Sequence, residues 1–197
     1  MEQRIILASK SPRRKELLEQ IGLRFEVITS EVDEDFDPIL NPVEVVSELA
    51  RRKCAVVSEN HKDAFVIGAD TIVVHNGDVL GKPKSSEHAI EMLRGLNSKS
   101  HDVITGVSIE WLNKGLQESF SNSSEVTFHD LSIEVIARYV ETGEPLDKAG
   151  GYGIQGLGSV LVKSISGSYT NIVGLPLEEI VPRIRLHLGD GRFFCNS

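Results

Sequence analysis

The run Ala64-Phe65-Val66-Ile67-Gly68-Ala69-Asp70-Thr71-Ile72-Val73-Val74-His75-Asn76-Gly77-Asp78-Val79-Leu80-Gly81-Lys82-Pro83 decides the fold class. Up to His75 it is a continuous apolar stretch rich in Val, Ile and Phe, which reads as a buried strand. Asn76-Gly77 supplies the positive φ angles of a tight hairpin, so the chain returns antiparallel through Leu80. A second hairpin is expected at Asn113-Lys114-Gly115. Other strand-like runs are Arg4–Ala8, Arg24–Ser30, Ser100–Leu112, Leu116–His129 and Ser159–Ser166. Helical patterns occupy Pro12–Ile21, Pro42–Glu59, Ser86–Leu96, Ser132–Glu141 and Leu177–Leu188. The second has Asn41 as cap, and Val45, Val46, Leu49, Cys54, Ala55 and Val56 trace its apolar face. Pro182 should kink the last helix or mark its start. Hairpins mixed with short αβ crossings predict a mixed, twisted sheet flanked by helices rather than a doubly wound parallel one.

Within the quoted run, Asp70 interrupts the apolar strand just after Gly68 and Ala69, two small residues that permit close approach of a ligand. A carboxylate there costs several kcal/mol of desolvation unless it is paired. It is either satisfied by backbone N–H groups or an Arg, or it is a metal ligand or general base. Gly81 and Pro83 fix the turn around Lys82, which suits an ammonium aimed at phosphate.

Upstream, Ile5-Ile6-Leu7-Ala8-Ser9-Lys10-Ser11-Pro12-Arg13-Arg14-Lys15 reads as strand, small-residue turn and helix start. Ser11 suits the N-cap and Pro12 the first helical position. Lys10, Arg13, Arg14 and Lys15 then crowd the positive end of the helix dipole, where cations are unfavourable. The segment is either a polyanion site or a plain basic surface helix. The acidic cluster Glu31, Asp33, Glu34, Asp35 and Asp37 reads as solvated loop, apart from Glu31 at the strand end. Glu31 and Asp70 together could hold one Mg²⁺.

Downstream, Asp147-Lys148-Ala149-Gly150-Gly151-Tyr152-Gly153-Ile154-Gln155-Gly156 allows close backbone approach to a flat ligand. Tyr152 can stack, and Gln155 offers a donor and an acceptor to a base edge. The alternative is a flexible loop. The segment Gly143–Gly158 is also the only candidate hinge.

The chain has 197 residues, 25% charged, with a formal net charge of -8. This balance argues against nucleic-acid binding by bulk electrostatics. One domain over residues 1–188 is expected, with a tail over 189–197 that has no readable element. Two cysteines far apart, no membrane-length apolar run and no room for a signal peptide point to a cytoplasmic protein. The six histidines lack zinc spacing and read as surface residues. Neither a Walker lysine loop nor a Gly-x-Ser-x-Gly elbow is present.

Leu-Ala-Ser-x-Ser-Pro-Arg-Arg, Gly-Ala-Asp-Thr with Gly-Lys-Pro, and Asp-Lys-Ala-Gly-Gly-Tyr-Gly-Ile-Gln-Gly together resemble the Maf family, in register from Ile5 to about Leu177. Gly167-Ser168-Tyr169 and Val173-Gly174-Leu175-Pro176 also fit. The resemblance implies an elongated, curved mixed sheet, two lobes and a deep central cleft, similar to inosine triphosphate pyrophosphatases. It implies nucleoside triphosphate pyrophosphatase activity dependent on a divalent cation (Mg or Mn), with a part in nucleotide-pool house-cleaning, septum formation and division arrest. By resemblance, Asp70 is the proton acceptor, with Lys82 and Glu31 in the catalytic set and Glu31 and Asp70 on the metal. Arg13, Thr71 and Gln155 set base preference, while Ser9, Lys53 and Asp147 match other polar positions. Thr71 and Gln155 look like the dTTP/UTP branch. The rivals are a 7-methylguanosine triphosphate pyrophosphatase and a non-catalytic nucleotide-sensing septation regulator. A homodimer is expected by analogy, and neither nucleic acid nor membrane as partner.

Overall fold

The computed structural model describes residues 3–29, 31–35 and 40–194. Ser30 of the expected second strand, Asp37 of the acidic cluster and Cys195 of the tail lie outside them. The strands are β1 (Ile5–Ala8), β2 (Glu26–Val27), β3 (Phe65–His75), β4 (Asp78–Leu80), β5 (Ser100–Trp111), β6 (Leu116–Phe128) and β7 (Val162–Ser166). They form one seven-stranded sheet in the order β2-β1-β3-β5-β6-β7, with β4 paired to β3. β1 is parallel to both β2 and β3, whereas β3–β4 and β6–β7 are antiparallel. The hairpin turn has Asn76 at φ 53° and Gly77 at φ 87°, the paired positive angles that match strand twist. The sheet is therefore mixed, as the hairpins required.

The helices are α1 (Pro12–Gln20), α2 (Pro42–Ser58), α3 (Ser86–Leu96), α4 (Ile133–Glu141), α5 (Tyr169–Val173) and α6 (Leu177–Leu188). α5 was not expected, because five residues are too few to show a helical period. α6 runs through Pro182 instead of starting there.

The chain divides into two compact units. One comprises the chain up to Asp70, Thr105–Asn122 and the chain from Gly174; the other comprises Thr71–Ile104 and Ser123–Val173. In the first, α2 opens with a reciprocal cap: Asn41 Oδ1 accepts the Glu44 N–H and Glu44 Oε2 accepts the Asn41 N–H, both at 3.0 Å. Its inward face is Val45, Val46, Leu49, Ala50, Cys54 and Val57. Val56, expected on that face, is exposed; the helical period carries the stripe from Cys54 to Val57. Two glycines let this helix lie against the strands. A Cβ on Gly106 would stand 2.5 Å from the Val46 carbonyl oxygen, and one on Gly68 would stand 2.7 Å from the Cys54 Cβ. The space beside Gly68 is thus filled by α2, not left for a ligand. In the tail, the Phe194 N–H donates to the Ile21 carbonyl at 3.1 Å.

The second unit has its own core. Leu93 and Leu96 of α3, Ile136, Tyr139 and Val140 of α4, and Val103, Val126 and Phe128 of the strands pack together with Tyr152. Gly143–Gly158 lies wholly inside this unit, and hydrogen bonds fasten it at several points. It does not link the units as a hinge.

Candidate active site

Residues after β1 and at the end of β3's first half build the site in the first unit. Ser11 occupies the N-cap of α1 and Pro12 the first helical position, but the Ser11 hydroxyl makes no cap bond. Ser9 is the organising hydroxyl: its Oγ accepts the Ser11 N–H at 3.1 Å and Arg14 Nη1 at 3.2 Å. Arg14 also donates from Nε to the Gly174 carbonyl at 2.8 Å and from Nη1 to the Ala69 carbonyl at 2.7 Å. Burial pushes its guanidinium pKa down, and the charge of Asp70 opposes that shift. Arg14 therefore supports the peptide leading directly into Asp70. Its neighbours differ: Arg13 is half-buried, and Lys15 is exposed and paired with Glu19.

Gly68 and Asp70 are two apart on β3 and so face the same side. The close approach of α2 at Gly68 brings Lys53, next to Cys54, within reach of Asp70. Lys53 Nζ lies 2.5 Å from Asp70 Oδ1 and 2.6 Å from Glu34 Oε1, and the Lys53 and Asp70 side chains are only 15% and 13% exposed. The buried carboxylate is matched by an ammonium, a partner not anticipated for it. Glu31 is set differently, with 93% of its side chain exposed and Lys10 Nζ at 3.3 Å.

The described residues hold no group of three or more His, Cys, Asp or Glu able to bind a metal. Asp70 and Glu34 nevertheless converge on one cation, the Lys53 ammonium. That all-oxygen pair fits Mg²⁺, which takes one or two carboxylates beside water and phosphate oxygens.

The remaining expected residues belong to the second unit. Thr71 and Gln155 are half-buried and Lys82 is exposed. The Gly81 carbonyl beside Lys82 accepts the Gly150 N–H at 3.1 Å, tying that turn to the glycine-rich loop. Asp147 accepts from Lys148 at 2.6 Å. Tyr152 is not a free stacking platform: it is buried, edge-on to His101 and Phe128, with its hydroxyl 2.7 Å from His101 Nε2. His101 is likewise a core residue rather than a surface one, and burial lowers its pKa to about 4.

Sequence reasoning passed over Glu34 and left Arg14 undecided. A run of acids does not reveal which one meets a lysine, and adjacent arginines look alike until one is buried.

The fold is that of an α/β protein with a seven-stranded mixed sheet, carrying a lysine-paired aspartate on its third strand. The Maf-like protein family model matches residues 4–186, and the chain belongs to that family. It is 50% identical over 96% of its length to a dTTP/UTP pyrophosphatase of Halalkalibacterium halodurans, covering 98% of that protein. A dTTP/UTP pyrophosphatase of Bacillus cereus is 47% identical over 92% of this chain and 94% of its own. The solved structure of the Staphylococcus aureus Ham1 protein overlays with a TM-score of 0.47 at 20% identity, covering 81% of this chain and 80% of that one. No helix among the described residues is long and apolar enough to cross a membrane.

Proposed function

We propose that this chain hydrolyses dTTP and UTP to the nucleoside monophosphate and pyrophosphate. The observation that carries this reading is Asp70, ion-paired and mostly buried beside Lys53, in a chain half identical to relatives named for that activity. A nucleoside triphosphate carries about four negative charges, so its hydrolysis is promoted mainly by charge neutralisation and by aligning a water with the leaving group. Asp70 accepts the proton of that water as its oxygen bonds to the α-phosphorus. The bond from the α-phosphorus to the oxygen shared with the β-phosphorus breaks, and its electron pair leaves with pyrophosphate. Ser9, Arg13 and the backbone N–H groups opening α1 take the phosphates, with Lys82 assisting. Lys53 holds Asp70 in place until substrate arrives, and Asp147 is a further polar contact. Arg13, Thr71 and Gln155 set the preference among bases.

A divalent cation (Mg or Mn), held by Asp70 with Glu31 or with Glu34, adds charge neutralisation when bound. A carboxylate committed to a metal is a weaker base, so the two roles compete for Asp70. A cytoplasmic place, a homodimer and a part in nucleotide-pool house-cleaning and division arrest belong to the same reading. The net charge of -8 supports the absence of nucleic acid among the partners.

The test is a panel of nucleoside triphosphates, including 7-methylguanosine triphosphate, with Mg²⁺ or Mn²⁺, scoring pyrophosphate release. dTTP and UTP should be turned over fastest, and Asp70→Asn should lower their turnover by about a hundredfold or more. Tight triphosphate binding without pyrophosphate release would overturn the enzymatic reading. Preference for 7-methylguanosine triphosphate would overturn the substrate assignment alone.

A further inference from the structure

Gln155 sits in a loop whose backbone is fastened on both sides by two side chains from outside it. Before it, the Gly153 N–H donates to the Tyr139 hydroxyl at 3.2 Å. After it, the Leu157 N–H donates to Glu144 Oε2 at 3.1 Å and the Gly158 N–H to Glu144 Oε1 at 3.0 Å. The two anchors are joined, since the Tyr139 hydroxyl donates to Glu144 Oε1 at 3.0 Å. Burial pushes the Tyr139 phenol pKa upward, which keeps that proton in place. The packing leaves no slack. A Cβ on Gly158 would lie 2.2 Å from the Gly153 carbonyl oxygen and 2.6 Å from the Tyr139 hydroxyl. A Cβ on Gly156, at φ +71°, would lie 3.0 Å from Glu144 Oε2. The Glu144 main chain extends the hold, because its carbonyl accepts Lys148 Nζ at 2.6 Å, and that lysine also pairs with Asp147.

We infer that Tyr139 and Glu144 are positioning residues for Gln155, setting the loop conformation in which its amide discriminates among nucleotide bases. The inference rests on the base-reading role proposed above for Gln155. One carboxylate and one hydroxyl here satisfy three backbone N–H groups within six residues of chain, Gly153–Gly158. A carboxylate able to accept several donors is the group this cradle needs. Glu144→Gln keeps the volume but replaces one acceptor oxygen with a donor NH₂ facing other donors. Tyr139→Phe keeps the ring and deletes the hydroxyl.

The experiment measures kcat/KM for dTTP, UTP, dCTP and dGTP in Tyr139→Phe, Glu144→Gln, Gln155→Ala and the two double variants carrying Gln155→Ala. Each positioning variant should reduce the preference for dTTP over dCTP by about fivefold to tenfold, the worth of a lost hydrogen bond. In the Gln155→Ala background neither should reduce it further, a non-additivity that a merely structural role would not produce. Equal loss in both backgrounds overturns the positioning role, as does unchanged preference in both positioning variants while Gln155→Ala still lowers it. Unchanged preference in Gln155→Ala itself overturns the base-reading role, and the positioning role with it. If one variant does not fold, as judged by thermal denaturation, the other carries the test.

Discussion

Arg13 and Arg14 are adjacent, yet they end in unlike settings because successive helical residues point about 100° apart. Arg14 turns inward, where its planar fork meets the Ser9 hydroxyl and the Ala69 and Gly174 carbonyls. A lysine cannot reproduce that fork. Arg14→Lys should therefore lower unfolding free energy by about 2 kcal/mol in a denaturant titration. That the basic cluster divides into a buried Arg14 and more exposed neighbours was not legible in sequence, since it depends on which direction is buried. His101 makes a similar point about pH. Burial, with a smaller effect from the charge of His75, moves its pKa from 6.5 down to about 4. Between those values the unfolded chain takes up a proton that the folded chain refuses, so stability is full above pH 6.5 and falls as the pH drops towards 4. The loss attributable to this group should reach about 3 kcal/mol. His101→Phe should flatten the acid limb of a plot of unfolding free energy against pH.

At the level of elements, α2 connects packing to chemistry. Its start was readable from Asn41 as cap, and the structure adds Glu44 as the reciprocal partner in a capping box. Its seat on the strands was not, because the sequence shows that Gly68 and Gly106 are small without showing what fills the space beside them. Gly106→Ala would push a methyl into the Val46 carbonyl, costing about 1–3 kcal/mol as other overpacked sites do. Because the same helix carries Lys53, the substitution should also loosen the ion pair with Asp70. We expect pyrophosphate release to fall with it, whereas Asn41→Ala should cost about 1 kcal/mol and leave turnover nearly intact. The hairpin of β3 and β4 was read correctly from Asn76-Gly77, since that turn is a local property. The glycine-rich segment was misread as a hinge because a run of glycines does not show the hydrogen bonds by which Tyr139 and Glu144 fasten its backbone.

At the scale of the molecule, the mixed sheet followed from local signals, whereas the two compact units did not. Their boundary falls between Asp70 and Thr71, inside a single strand, where no change of composition marks it. Cys54 offers a way to observe the first unit in motion. Its thiol is fully buried against the Val66 carbonyl, and burial raises its pKa, so the native state should resist alkylation. Any labelling then clocks the rare excursions in which α2 lifts away from β3, and Lys53 with it. In a Cys195→Ser background, Mg²⁺ and dTTP should slow that clock in proportion to nucleotide occupancy. An unchanged rate at saturating nucleotide would show that binding does not draw on this helix. A cysteine with no chemistry of its own thus becomes a stopwatch for the site beside it.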